Sequence, residues 1–317
     1  MNQAITRRTA LGYTALLAVA ARGASAQALP SVRVATLPVD VSAQAFYADA
    51  QGFFKAEGLD AQVQIISGGP AIAAGVSSGA LDFGASNSLT IALAYQRNIP
   101  FAIVAPAGSY ESKGATTKLF VAKTSPIKSA RDLSGKTIAT NSLGVNIASI
   151  GVSAWIDKNG GDSKSVKFVE IPFAEMPVAI ASGRVDAGSM DTISLSRSDG
   201  DALRALAAPY DAIAPEWLQG VWFTTVAYAQ AHPDIVQKFA KAMAESADWA
   251  NAHQADSAKI LENATKVPVP PGTPRVHYPP WLVRSQVLPL IEAAQKYGAI
   301  KPVFDVNGLL APGISFR

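Results

Sequence analysis

The chain has 317 residues, 49% of them hydrophobic and 16% charged, with 27 basic against 24 acidic side chains and no cysteine. This composition excludes a disulfide framework, a thiolate metal site and a cysteine nucleophile. It also excludes a chain-wide basic footprint for nucleic acid or an anionic membrane: Arg7, Arg8 and Arg22 all precede residue 27, and without them 24 basic residues face 24 acidic ones.

Residues 1–26 read as an export signal peptide. Arg7 and Arg8 form the charged start, residues 11–21 an apolar stretch, and Ala24-Ser25-Ala26 a small-residue cleavage site, so the mature chain is expected to begin at Gln27. The apolar stretch falls short of the roughly 20 residues that span a bilayer. Thr6-Arg7-Arg8-Thr9-Ala10-Leu11 fits a twin-arginine leader, and equally an ordinary secretory one. With no cysteine for lipid attachment, the protein is expected free in the periplasm. The remaining chain, about 290 residues, is long enough for two domains with cores of their own.

Beyond the leader, strands and helices alternate. Residues 32–36 form a short apolar strand, 43–57 a helix closed by Gly58, and 62–66 an alternating strand. A helix over 71–78 closed by Gly79, a strand over 81–85, a helix over 89–97 and a strand over 101–106 follow. The same pattern returns as 136–140, 145–158, 166–170, 175–182, 185–189 and 203–208. A β-rich run over 221–227 leads to a helix opened by Pro233 and reaching about residue 253, then a proline-rich stretch and a last helix over 281–297. Alternating strands and helices predict an α/β fold with parallel sheets.

The two halves are copies of one unit. At an offset of 104 residues, Val34-Ala35-Thr36 falls on Ile138-Ala139-Thr140 and Val41 on Val145; Ser78-Gly79, Asp82 and Gly84 fall on Ser182-Gly183, Asp186 and Gly188. Gly79 and Gly183 are read as helix caps, and Asp82 and Asp186 as residues ordering the entry of a strand. The C-terminal helices have no counterpart and are expected on the first lobe. The expected division is 27–118 plus 221–317 for the first lobe and 119–220 for the second, with chain crossings near 116–120 and 219–224.

Ligands of open parallel sheets bind beyond the carboxyl ends of strands. That rule selects Ser42, Gln44, Gly69, Ser86, Asn87 and Tyr110 in the first lobe, and Ser142, Gly144, Asn146, Glu175 and Asp191 in the second, with Trp222 as an aromatic wall. Helix N-termini carry unpaired N–H groups and partial positive charge, so the 141–146 turn suits a carboxylate, sulfonate or phosphate. Asn87 and Asp191 are also good N-cap residues. One terminus supplies about 0.3–2 kcal/mol against about 8 kcal/mol for micromolar binding, so both lobes must contribute by closing on the solute.

Leu37-Pro38-Val39-Asp40, Phe46-Tyr47-Ala48, Gly52-Phe53-Phe54 with Gly58-Leu59, the run from Ser78-Gly79 to Ser86-Asn87, and Ile127 with Asp132-Leu133-Ser134-Gly135-Lys136 carry a resemblance. Through them the chain resembles the substrate-binding proteins of nitrate, sulfonate and taurine type ABC importers, which are related to thiamine-pyrimidine-precursor binders. The resemblance implies a periplasmic-binding-protein type II fold, in which two α/β lobes joined by two chain crossings enclose the ligand cleft. It implies an ABC permease and its ATPase as the partners that receive a small solute, and the protein is expected to be a monomer. Asp186-Ala187 is followed here by Met190-Asp191, where family members often carry a Glu-Pro or Ala-Pro pair.

The other readings are an exported sensory domain using the same cleft, or an enzyme on the same fold. His232, His253 and His277 fall outside the expected cleft, and no nucleophile elbow, phosphate loop or H-E-x-x-H motif occurs, so neither catalysis nor a cofactor or metal is expected.

Overall fold

A computed structural model describes residues 28–142, 144, 146–195, 200–301 and 305–317, together with Met1. The expected export leader lies outside the described residues. In chain order the strands are β1 (Ser31–Thr36), β2 (Asp60–Ile65), β3 (Phe83–Ser86), β4 (Phe101–Pro106), β5 (Ser109–Glu111) and β6 (Thr117–Ala122). They continue as β7 (Thr137–Thr140), β8 (Lys167–Glu170), β9 (Ala187–Asp191), β10 (Leu203–Ala207), β11 (Glu216–Leu218) and β12 (Val221–Thr225). The helices are α1 (Gln44–Gln51), α2 (Phe53–Ala56), α3 (Gly69–Ser77), α4 (Ser88–Gln96), α5 (Ile147–Lys158) and α6 (Met176–Ala181). After them come α7 (Thr192–Leu195), α8 (Val226–Ala231), α9 (Pro233–Ala252), α10 (Gln254–Thr265) and α11 (Arg284–Lys296).

Two five-stranded sheets divide these elements, in the orders β2-β1-β3-β12-β4 and β10-β6-β9-β7-β8. Within each, the β1/β2/β3 and β7/β8/β9 pairings are parallel, while β12 and β6 run antiparallel to their neighbours. Side chains alternate between faces, as the pleat requires. In β12, Trp222 joins Phe54, Phe83 and Phe239 on one face of the first sheet, and Phe223 joins Ile72, Leu89 and Ile103 on the other. In β6, Leu119 and Val121 meet α5, and Phe120 meets α6.

The duplication extends to individual hydrogen bonds. Arg33 N–H donates to Asp82 Oδ2 at 2.7 Å, and 104 residues on Thr137 N–H donates to Asp186 Oδ2 at 2.9 Å. Each aspartate returns its own N–H to the same partner's carbonyl at 2.9 Å. Ordering of strand entry is therefore the work of both aspartates, with Arg33 and Lys136 pairing the remaining oxygens at 2.7 and 3.5 Å. Gly84 and Gly188 also match. A Cβ on Gly84 would lie 2.5 Å from Ile72 Cγ2 and 3.1 Å from Val76 Cγ2; on Gly188 it would lie 2.8 Å from both Met176 Sδ and Ile180 Cδ1, the residues 104 positions on. Both glycines let α3 and α6 lie close on their sheets. Because Phe223 Cε1 also stands 2.9 Å from that position, Gly84→Ala is expected to cost about 1–3 kcal/mol, read as a lower urea midpoint at unchanged slope.

Several expectations need correction. The helix over 43–57 is broken at Gly52, whose φ of 77° caps α1 and starts α2 in a new direction. The stretch after residue 253 begins with α10, which buries only Ser257 and Leu261, a stripe too narrow to stand out in the sequence. The last helix starts at Arg284. The chain passes between lobes at β5 and β11, which form their own antiparallel pair, and β6 already belongs to the second sheet from Thr117.

The C-terminal helices α9 and α10 lie against α1, while α11 lies against α4 and β11 and reaches α5, where Tyr297 Oη donates to Asp157 Oδ2 at 2.9 Å.

Candidate functional site at the crossing

The β5/β11 pair sets Tyr110 opposite Trp217. Tyr210 completes an aromatic triangle with ring centroids 5.3–5.8 Å apart. Tyr110 Oη donates to Asp211 Oδ1 at 2.7 Å, and Ser112 Oγ donates to the same oxygen. Burial, with Asp211 adding to it, pushes the Tyr110 phenol far above its ordinary range, so it stays a neutral donor. Tyr110 is thus anchored in the joint between the lobes.

Three helices start after the carboxyl ends of β3, β7 and β9, and each is capped by its own side chain. Asn87 Oδ1 accepts from Thr90 N–H at 2.9 Å on α4. Asp191 accepts from Ser194 N–H at 2.8 Å and Ser194 Oγ at 2.6 Å on α7, again 104 residues on. Asn146 Oδ1 accepts from Ala148 and Ser149 N–H on α5, while Ser149 Oγ accepts from Asn146 N–H. Such caps use the donors that an anion at a helix terminus needs. Ser142, Gly144 and Asn146 form one closed loop, since Asn146 Nδ2 donates to the carbonyls of Ser142 at 2.8 Å and Gly144 at 3.1 Å. Burial pushes the Asp191 carboxyl up, opposed by the Ser194 bonds and reinforced by Asp40 across the gap.

Other selected residues point elsewhere. Gln44 and Trp222 are fully buried and engaged with each other, Trp222 Nε1 donating to Gln44 Oε1 at 2.9 Å. Ser42 Oγ donates to Leu37 O at 3.3 Å, and its own carbonyl accepts from Thr36 Oγ1 at 2.6 Å. Ser86 ends β3 opposite Val221, and Gly69 opens α3. Glu175 stands 3.8 Å from Arg184 on the outer edge of the second lobe, beside a shallow depression of about 550 Å³ that Lys167, Glu170 and Pro172 also line. The structure therefore gathers Ser86, Asn87, Tyr110 and Asp191 toward the crossing, and leaves Gln44, Trp222 and Glu175 away from it.

Sequence reasoning missed the crossing's most telling groups. Ser88 Oγ, Thr192 Oγ1, Trp217 Nε1 and Gln219 Oε1 are buried without a hydrogen-bond partner among the described residues. Ser88 and Thr192 are the first residues of α4 and α7, 104 apart; Trp217 and Gln219 lie on and just after β11. Gln219 N–H donates to Gly108 O at 3.1 Å, and Thr192 N–H to Thr116 O at 2.8 Å, tying both to the crossing. A buried unpaired polar group costs about 1–3 kcal/mol, so several along one crossing suit a polar ligand. The repeat offers the signal for Ser88 and Thr192; nothing local marks Trp217.

Among the described residues no helix is long and apolar enough to cross a membrane. No curated protein matches the sequence. Solved structures do match in fold. The periplasmic aliphatic sulphonate binding protein SsuA from Escherichia coli superposes with a TM-score of 0.70 at 15% identity, over 90% of this chain and 96% of that one. The periplasmic nitrate-binding protein NrtA from Synechocystis PCC 6803 gives 0.72 at 10% identity, over 89% and 84%. The desulfurization enzyme DSZB gives 0.67 at 14% identity, over 90% and 97%. These likenesses establish the two-lobed type II fold of periplasmic binding proteins, in agreement with the sequence resemblance. The family model described as NMT1/THI5 like matches residues 41–257, and the chain belongs to that family.

Proposed function

We propose that this protein is the periplasmic solute-binding component of an ABC importer. It captures a small organic anion, a sulfonate or carboxylate, by closing its two lobes, and delivers it to the permease and its ATPase. It acts as a monomer without a cofactor and reaches the periplasm through its leader.

The observation that carries this reading is Trp217 Nε1. An indole N–H can only donate, this one is buried unpaired on β11 between the two sheets, and the hydroxyls of Ser88 and Thr192, at equivalent positions of α4 and α7, are unpaired as well. The indole and the two hydroxyls suit a solute with acceptor oxygens, which sulfonates and carboxylates have, while the unpaired Gln219 Oε1 suits a donor such as an amine or hydroxyl on the same solute. Micromolar binding needs about 8 kcal/mol, more than one hydrogen bond supplies, so groups from both lobes must act together.

The test is a melting screen of the mature protein over methanesulfonate, taurine, benzoate, nitrate and neutral heterocycles, followed by calorimetry on any compound that raises the melting point. A binding solute is expected to add about 2.7 kcal/mol at a hundredfold excess over its Kd. Trp217→Phe is expected to weaken it about ten- to a hundredfold, the loss of one hydrogen bond to a charged group. Hits confined to cationic solutes would sink the anion reading. Unchanged affinity in Trp217→Phe would remove the indole from the site.

A further inference from the structure

Ile193 lies in α7, directly after the strand end of β9. Thr192 N–H donates to Thr116 O at 2.8 Å, and Asp191 caps the helix from β9, so α7 moves with the second sheet. Yet the Ile193 side chain, 7% exposed, is buried in an apolar cluster that otherwise comes from the first lobe. Its companions there include Ala43, Phe46 and Tyr47 at the start of α1 and Val269, Val276 and Tyr278 from the proline-rich segment. Among the described residues of this cluster, Ile193 is the second lobe's contribution. Behind the first-lobe wall, Asp40, Arg275, Tyr47 and Tyr278 form one hydrogen-bonded group.

We infer that Ile193 is a positioning residue for closure, an apolar latch that holds the two lobes together before any solute arrives and so sets how fast and how tightly solute binds. The inference rests on the reading of two lobes that close over a solute. Separating them exposes an isoleucine and its socket to water, which biases the unliganded protein toward the closed form by about ten- to a hundredfold. A solute must then wait for opening, and once inside is held by a closure that it does not have to drive alone. The latch trades association rate for residence time.

The absence of native cysteine makes the test direct. Exposed positions in the two lobes, Gln51 and Lys164, are replaced by cysteine in the mature chain and spin-labelled, and the distance distribution is measured by pulsed electron resonance without solute. With Ile193 in place, a single short distance matching the closed arrangement is expected. Ile193→Ser is expected to move most of the population to longer distances, Ile193→Ala to give a mixture, and Ile193→Val to stay closed. The far-ultraviolet circular dichroism spectrum should be that of the parent in all three. An open distribution with Ile193 intact, or parental distances in Ile193→Ala, would overturn the latch. Should Ile193→Ser fail to fold, the alanine variant decides alone. Every measurement is made without solute, so failure of the melting screen and failure of the latch are separate results.

Discussion

Asp40→Ala is expected to lower the unfolding free energy by about 3–5 kcal/mol, measured by urea denaturation of the mature protein, because it strands a buried guanidinium. The Asp40 and Arg275 side chains are 6% and 7% exposed and meet at 2.6 and 2.9 Å in a two-pronged pair. Asp40 Oδ2 also accepts from Val276 N–H at 3.0 Å, Tyr278 Oη donates to Asp40, and Arg275 donates to Tyr47 Oη at 2.7 Å. Removing the carboxylate leaves the Arg275 charge with a phenol oxygen and the Gln254 carbonyl at 3.4 Å, neither of which neutralises it. Replacing both partners, as Asp40→Leu with Arg275→Met, is expected to cost much less, since no charge is left behind. A double variant as unstable as Asp40→Ala would show that the hydrogen bonds to Val276 and Tyr278, rather than the charge pair, carry the effect. The pair also joins the loop after β1 to the proline-rich segment 235 residues away, so the loss is expected to expose that segment to proteolysis.

Trp222→Ala is the second large effect, at about 3–5 kcal/mol from the lost apolar burial and the cavity together. Trp222 is fully buried, meets Phe239 edge-on with centroids 5.7 Å apart, and gives its indole N–H to Gln44. Truncation also leaves the Gln44 amide oxygen unpaired in the core, which adds about 1–3 kcal/mol. Trp222→Phe keeps most of the volume and loses mainly the hydrogen bond, so its urea midpoint should fall between those of the parent and the alanine variant. Equal midpoints for both variants would mean that the hydrogen bond, not the packing, is what Trp222 contributes.

These two cases explain why part of the candidate site misread its residues. Strand-end rules choose positions along the chain, and they chose Ser42 and Gln44 where the chain turns from β1 into α1, whereas Trp222 lies within β12. They say nothing of whether a polar atom is already spent. Gln44 spends its amide on Trp222, Asn146 spends its own on the α5 terminus and the Ser142 and Gly144 carbonyls, and Asn87 caps α4. Ser88, Thr192, Trp217 and Gln219 are among the groups left unspent, and only counting partners in space reveals them.

The duplicated unit, its helix-capping glycines, the strand-entry aspartates and the balanced charge after residue 26 could all be read from residue order, because each is a local or periodic property of the chain. Gly79 and Gly183 both take φ of 74°, and Asp82 and Asp186 bond the strands 49 residues before them in the same way. The crossing is different. β5 and β11 are three residues each, too short for a period, and they find each other across more than 100 residues. Tyr110 and Trp217 gain their meaning from that pairing, and Ile193 from a socket built by the opposite lobe. Local propensity carries no information about a partner that distant; only burial of the whole chain brings it into contact.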